Sequence, residues 1–220
     1  MEIFQVDAVA ISWILTIYMV ATGMVMPLTG FLGEKYGKKK VYMTGLLVFI
    51  VGSLIGTFSS SLWMIILARA IQGAGGGLIM PTAMALIFNA FPKHERGLAV
   101  GIYGIALMVA PAIGPTVGGM LITFFDWPYL FITNLPFTIM GFLFSIKYLK
   151  ETEKNPTLKF DVIGFILITL GIGSILYALG NSPTLALLLS PINVTLLIGG
   201  FVLIVAFIKY ESTQEQPLLD

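Results

Sequence analysis

Cysteine is absent from this sequence of 220 residues, and charged residues are scarce at 10% of the total. The lack of cysteine excludes disulfides, thiolate metal sites and cysteine nucleophiles in this chain. A soluble domain carries roughly 25% charged residues, because its surface must meet water. The chain therefore has too little charge to coat a soluble surface. Its net charge of +1 offers no overall field for nucleic acid or a strongly acidic partner.

Hydrophobic residues make up 57% of the chain and fall into long apolar runs. A helix needs about 20 such residues to cross the hydrocarbon core of a bilayer. The runs are uniformly apolar rather than alternating, which favours helices over barrel strands. The sequence therefore predicts an all-α membrane protein with about seven transmembrane helices. The expected spans are 10–31, 40–59, 63–90, 97–125, 128–149, 162–180 and 191–209.

The basic residues orient these spans. Eleven of the twelve lysines and arginines fall after the first, third, fifth or seventh span. Positive charge accumulates on the cytoplasmic side, so we expect the N-terminus outside and the C-terminus inside a cell membrane. A polar linker at 151–161 divides a bundle of five spans (1–150) from a helix pair with a tail (162–220). The short outer N-terminus indicates a piece of a larger protein, either a natural truncation or a cut fragment.

A glycine- and lysine-rich motif follows the first span and is predicted to form a loop. Glycines permit a tight reversal between two helices. A carboxylate among several cations can hold neighbouring helix ends, by ion pairs or through a helix dipole. On composition alone, a basic loop that only sets topology is equally consistent. The candidate latch residues are Gly30, Glu34, Lys35, Gly37, Lys38 and Lys39, together with Arg96 after the third span.

A single basic residue, Arg69, lies inside the third span. It is about six residues below the outer boundary, or roughly 9 Å deep at 1.5 Å per residue. A buried guanidinium is costly there, so it should face a polar cavity or a paired group. Gln72 shares its face at i+3, and Gly73 begins a glycine run that suits close helix contact. The alternative is an arginine that only snorkels to the outer interface.

The fourth span contains a kinked, glycine-faced motif. Its prolines remove backbone hydrogen bonds and bend the helix. Gly114 and Gly118 lie one turn apart and would let another helix approach closely. The motif could form a gate against an opposing bundle, or serve ordinary small-residue packing. The candidate gating residues are Pro111, Gly114, Pro115, Gly118 and Gly119.

Other polar and aromatic residues have simpler interpretations. Trp127 and Tyr129 are natural anchors at the outer interface. His94, the single histidine, lies beside Lys93 and Glu95 and is expected to be solvated. The sequence shows no metal-ligand cluster, phosphate-binding glycine loop or nucleophile triad, so neither an enzyme nor a metal site is predicted.

These motifs, in this order and spacing, resemble the major facilitator superfamily. They look most like its drug:proton antiporter branch with fourteen spans, and the resemblance covers nearly the whole chain. Glu34 stands where that family usually has aspartate, a departure that preserves charge. The resemblance implies most of the N-terminal bundle of such a transporter, plus the two linking helices. It implies that the first helix and the C-terminal bundle are absent.

The resemblance also implies a function, which is proton-coupled export of drugs or other amphipathic molecules by alternating access. The proton gradient would drive this export, and no cofactor would be needed. The expected partners are the lipid bilayer, the substrate and protons. A further partner would be the remainder of the transporter or a full-length copy. Arg69 and Gln72 would serve proton coupling. Trp13 and Tyr18 match the family's second helix and could line a cavity. Asn134 and Pro136 match the start of the family's sixth helix.

Two alternatives stay open. One is a transporter of another small solute, such as a peptide, siderophore or sugar. The other is a truncated, non-transporting membrane partner of a full-length transporter. None of the eleven acidic residues lies deep in an expected span, so the sequence identifies no proton carrier.

Overall fold

The computed structural model describes residues 8–182 and 184–214, with side chains from Trp13 onward. Every regular element in these ranges is a helix. The helices are α1 (Ala8–Val25), α2 (Leu28–Tyr36), α3 (Lys38–Thr57), α4 (Leu62–Ala90), α5 (Arg96–Phe124), α6 (Tyr129–Ile132), α7 (Asn134–Tyr148), α8 (Val162–Gly180), α9 (Leu185–Leu188) and α10 (Pro191–Glu211).

Six helical segments of the described chain are long and apolar enough to cross a membrane. Five are α3, α4, α5, α8 and α10, and the sixth is Tyr129–Tyr148, which joins α6 to α7. A bent pair, Trp13–Val25 and Leu28–Tyr36, adds a seventh if it is counted as one span. The prediction of an all-α membrane protein with about seven spans is therefore confirmed.

The glycine- and lysine-rich motif is mostly helical rather than a loop. A bend of 50° separates the two halves of the first expected span, and Pro27 lies at the start of α2. Proline suits this position because its missing N–H is not needed there and it disfavours helix at the preceding residue. The chain then reverses at Gly37, whose φ of 97° favours glycine.

Close backbone contacts join α4 to α1 and α3. A Cβ atom at Gly75 would lie 2.7 Å from the backbone nitrogen of Phe49 on α3. A Cβ atom at Gly73 would collide with the backbone carbonyl of Tyr18 on α1. The Thr22 hydroxyl donates a hydrogen bond to the Gly73 carbonyl at 3.0 Å. Glycines thus let three helices pack at backbone distance.

Helix α5 packs differently from these three. None of its residues is buried. Cβ atoms at Gly114 and Gly119 would meet nothing within 4 Å. One hydrogen bond ties it to α4, from the Tyr103 hydroxyl to the Met80 carbonyl at 3.1 Å. The proline- and glycine-rich face of α5 is therefore open in the described part of the chain.

The last two spans form a hairpin. Their backbones meet where a Cβ atom at Gly200 of α10 would lie 2.8 Å from the Gly171 carbonyl of α8. Asn193, buried at the start of α10, donates to the Ser182 hydroxyl at 2.9 Å and to the Leu187 carbonyl at 2.8 Å. Polar side chains and small residues therefore hold the pair together within an apolar segment.

The hairpin packs on α1 through α8. The Trp13 and Tyr177 rings lie 5.1 Å apart, and the Thr169 hydroxyl donates to the Met24 carbonyl at 3.4 Å. A polar segment without helix, residues 149–161, connects α7 to this hairpin. It runs beside residues 34–39, and we refer to this side of the molecule as the lysine-rich end.

Candidate functional site

Arg69 lies two turns inside α4. The helix begins at Leu62, where the Ser61 hydroxyl caps it by accepting a hydrogen bond from the Met64 amide at 3.4 Å. Arg69 is partly buried and is placed among α3, α4 and the α6 segment. A charge at this position needs polar partners, because water is scarce inside a bilayer.

A chain of hydrogen bonds supplies those partners. Arg69 donates from Nη1 to Oε1 of Gln72 at 3.2 Å, as their i+3 spacing allows. Gln72 in turn donates from Nε2 to the hydroxyl of Ser53 on α3 at 2.8 Å. Gln72 and Ser53 are both 0% exposed. The guanidinium is therefore fixed to a second helix through two fully buried side chains.

Phe131 of α6 covers the guanidinium. Its ring centroid lies 4.8 Å from Cζ of Arg69, which is a cation–π contact. The side chain is 2% exposed, and it touches Gly56 of α3 and the edge of the Trp127 ring at 6.4 Å between centroids. Sequence reasoning missed Phe131 and Ser53, because nothing in their spacing sets them apart from other aromatic and small residues in apolar helices.

One donor of the guanidinium lacks an acceptor within the described part of the chain. Nε of Arg69 is buried there without a hydrogen-bond partner. The ion pairs within the described ranges do not involve Arg69. A buried donor left unpaired is unfavourable by about 1–3 kcal/mol. Nε could pair with a further oxygen, such as that of a carboxylate or a carbonyl, only if the protein atoms that cover it moved aside.

Trp13 and Tyr18, the two candidate cavity residues, face different helices. Trp13 packs on Tyr177 of α8. Tyr18 faces α4, where a Cβ atom at Gly76 would lie 3.0 Å from its hydroxyl. They are five residues apart, about 140° around a helix, so they do not share one face.

The α5 motif is not brought to Arg69. Pro111, Gly114, Pro115 and Gly119 lie along the open part of α5. At Gly118, the nearest atom to a Cβ would be Leu130 Cδ2 at 3.9 Å, an ordinary contact. The candidate gate is therefore a separate surface from the polar chain around Arg69.

Several of the candidate latch residues contact the linker at the lysine-rich end. Lys35 Nζ donates to the Leu158 carbonyl at 2.9 Å, and the Glu34 carbonyl accepts from the Asn155 amide at 2.8 Å. Gly30, the first residue of the glycine- and lysine-rich motif, lies in the first turn of α2. Arg96 stands apart from this group, because its Nε donates to the Phe91 carbonyl at 3.2 Å.

A mainly apolar hollow lies between α3, α4, α5 and α7. Its volume is about 490 Å³. Leu86 and Phe91 of the α4 region, and Tyr103 of α5, form part of its wall, with Phe144 and Tyr148 of α7 opposite. The hollow is next to the lysine-rich end, and neither Arg69 nor the α5 glycines line it.

Apolar helices around a hydrogen-bonded guanidinium define a multi-pass helical membrane protein with a polar interior. Residues 1–208 match the family model of the Major Facilitator Superfamily, and the chain belongs to this family. The family and the relatives named as transport or export proteins point to a transporter, not an enzyme. Among the described residues, no group of three metal-ligating side chains is found.

Three curated relatives illustrate the match. The lincomycin resistance protein LmrB of Listeria monocytogenes is 30% identical over 219 residues, covering all of this chain and 46% of the relative. The multidrug export protein EmrB of Escherichia coli is 30% identical over 210 residues, 95% of this chain and 41% of the relative. The riboflavin transporter RibZ of Clostridioides difficile is 32% identical over 213 residues, 96% and 46% respectively. The chain spans about half the length of these relatives.

Proposed function

We propose that the protein containing this chain exports drugs or other amphipathic small molecules in exchange for protons, by alternating access. The observation that carries the proposal is the hydrogen-bonded chain of Arg69, Gln72 and Ser53 inside membrane-spanning helices. Relatives that confer lincomycin resistance or export several drugs support the substrate class.

We assign Arg69 to coupling because a charged guanidinium inside a membrane helix is energetically unfavourable. An arginine at the centre of a membrane helix is unfavourable by about 2.5–3.5 kcal/mol on insertion scales. Two buried side chains and a ring are arranged to hold it there. A guanidinium stays protonated in proteins, so Arg69 does not carry the exchanged proton. Arg69 would favour the ionised form of a carboxylate that is brought close to its guanidinium. Protonation of this carboxylate would then release the acid from Arg69.

The glycine- and proline-rich face of α5 is the proposed gate. Alternating access requires two bundles that rock about a central site. An open face with no Cβ at Gly114 or Gly118 allows a second bundle to approach at backbone distance. In this proposal the residues at the lysine-rich end form an inner latch.

The proposed orientation places the lysine-rich end in the cytoplasm of the inner or plasma membrane, by the distribution of basic residues. Single cysteines at Ser60 and His94, both exposed, test it with a membrane-impermeant maleimide on intact cells. Ser60→Cys should react and His94→Cys should not. The reverse pattern would overturn the orientation.

A second candidate is a transporter of another small solute. The similarity to a riboflavin transporter favours it, because that relative aligns over 96% of this chain at 32% identity. A non-transporting partner of a full-length transporter remains the third proposal. Transport assays with several substrates separate the first two, and any transport by the protein that contains this chain excludes the third for that protein.

The main test is ethidium accumulation in energised cells that express the full-length protein. Wild type should lower accumulation, and a protonophore should abolish the difference. Arg69→Ala should remove export while membrane insertion is retained. Lys93→Ala, which deletes an exposed cation, is the matched control and should export normally. Wild-type export by Arg69→Ala, or export insensitive to the protonophore, would contradict the proposal.

A further inference from the structure

The start of α3 lacks an ordinary helix cap. Its N-cap residue is Gly37, which has no side chain to offer, and its first turn contains no acidic residue. That turn instead carries three lysines, Lys38, Lys39 and Lys40. Cations are unfavourable at the positive end of a helix dipole, and the first backbone amides of a helix have no partner within it. These amides need an acceptor from another part of the chain or from water.

The polar linker supplies that acceptor. The Lys38 amide donates to the Thr152 hydroxyl at 2.9 Å, and the Lys39 amide donates to Oε1 of Glu151 at 3.1 Å. The carboxylate also lies so close to Gly37 that any Cβ there would collide with it. Glycine at position 37 is therefore required by this contact as well as by its positive φ.

A reciprocal contact is made at the end of α7. The last carbonyls of a helix also lack partners. Here the carbonyls of Ile146 and Leu149 accept hydrogen bonds from Nζ of Lys39, at 3.0 and 2.6 Å. One segment thus caps the start of α3, while one lysine of α3 caps the end of α7. A cation at a helix C-terminus is the favourable arrangement.

The far end of the linker is fixed as well. Nζ of Lys35 donates a hydrogen bond to the Leu158 carbonyl. Asp161 caps α8 by accepting from the Gly164 amide at 3.0 Å, and it accepts from the Tyr210 hydroxyl of α10 at 3.2 Å. The linker is therefore attached both to the α2–α3 turn and to the base of the hairpin.

We propose that residues 34–39 and 149–158 form a clasp, in which Glu151 and Thr152 are the N-terminal cap of α3 and Lys39 is the C-terminal cap of α7. The clasp joins the α8–α10 hairpin to the bundle as one rigid body. In any rocking motion, the hairpin would then move with α1–α7. This inference goes beyond the proposed function, since it concerns which helices move together and not what is transported.

Disulfide trapping tests the clasp in the full-length protein in membrane vesicles, with any cysteine outside this chain replaced. Lys38→Cys keeps the backbone amide that donates to position 152. We expect Lys38→Cys and Thr152→Cys to form a disulfide, because the Lys38 backbone amide lies 2.9 Å from the Thr152 side chain. Lys40→Cys with Thr152→Cys is the matched control, because residues 38 and 40 point roughly 200° apart on a helix.

We expect oxidation to link the first pair and not the second, as read by mass spectrometry of the digested protein. Glu151→Ala in the first pair should slow linking about fivefold, the effect of losing a helix cap. Glu151→Gln, which keeps an acceptor oxygen, should slow it less, and Glu153→Ala should not change it.

Equal linking of both pairs, or no effect of Glu151→Ala, would overturn the clasp. If Glu151→Ala fails to fold, two comparisons still test the clasp. They are the 38/152 pair against the 40/152 pair, and the 38/152 pair with and without Glu151→Gln. The readout needs no substrate, so its failure would leave the transport proposal standing, and a failure of transport would leave the clasp standing.

Discussion

Helices α4 and α5 are alike in sequence and unlike in packing. Each has 29 residues, several glycines and internal proline. On α4 the glycines meet the backbones of α1 and α3, whereas no residue of α5 is buried. The same signal, a small residue in an apolar helix, marks an occupied contact in one case and an open surface in the other.

The difference comes from what each helix has available to pack against. The glycine run of α4 falls on several sides of that helix, and two neighbouring helices of the same chain fill those sides. The glycines of α5 at 114 and 118 lie on one side, where a Cβ at Gly114 would meet nothing within 4 Å and a Cβ at Gly118 would meet only Leu130 of α6 at 3.9 Å. Substitutions on α4 should therefore affect folding, and those on α5 should affect function before stability.

The largest expected effect is the loss of the ring that covers Arg69. Phe131 is 2% exposed, and Phe131→Ala should lower stability by about 3–5 kcal/mol, because it leaves a cavity in packed surroundings. Thermal unfolding of the purified protein in detergent measures it. Phe124→Ala on α5 is the matched control, since Phe124 is 72% exposed. Similar losses of stability in Phe131→Ala and Phe124→Ala would contradict the difference in packing between the Arg69 site and α5.

A bulky residue in the α3–α4 contact comes next. Gly75→Leu should destabilise by about 1–3 kcal/mol or prevent folding, because the Phe49 backbone leaves no space for the side chain. Gly114→Leu removes a glycine from open space on α5, so the yield and melting temperature should stay at wild-type values. Size-exclusion profiles and melting curves report both, and a normal Gly75→Leu protein would contradict the packing described here.

A smaller effect is expected from the hydrogen-bond chain. Ser53→Ala removes the acceptor of Gln72 Nε2 and should lower stability by about 1 kcal/mol. Export should weaken with it if Gln72 positions Arg69. Thr123→Ala on α5 deletes a hydroxyl that only bonds its own helix at Gly119, and it serves as the control. Unchanged export in Ser53→Ala would show that Arg69 does not depend on this chain.

The smallest change in stability should accompany a large change in transport. Gly118→Leu lies on the open face, so its stability should remain within about 0.5 kcal/mol of wild type. Export should fall if this face meets a second bundle. Ethidium accumulation beside a melting curve separates the two readouts. Normal export by a stable Gly118→Leu protein would remove the gate from the proposal.

Parts of this structure follow from sequence patterns of short range. Apolar runs near 20 residues predict the number of spans, because bilayer thickness sets that length. The i+3 spacing predicts that Arg69 and Gln72 share a face, and they are hydrogen bonded. The role of that pair in transport stays a prediction.

Other parts depend on contacts between distant residues. Glu151 reaches a backbone amide at position 39, and no side-chain pattern marks such an acceptor. Phe131 covers Arg69 from 62 positions away, and aromatic residues are common throughout the chain. The first span is predicted to end at residue 31 because the glycines and lysines that follow are typical of loops, whereas α2 begins after Pro27 and continues to Tyr36.

The hairpin of α8 and α10 has a consequence for how the protein is made. Its own glycines bring the two helices together, and the side-chain amide nitrogen of Asn193 donates hydrogen bonds to Ser182 and Leu187 near the turn. Membrane helices insert individually and then associate through such packing and polar contacts. A hairpin bonded to itself can leave the translocation machinery as an assembled pair, and its docking on α1 then becomes a later and separate step of biogenesis.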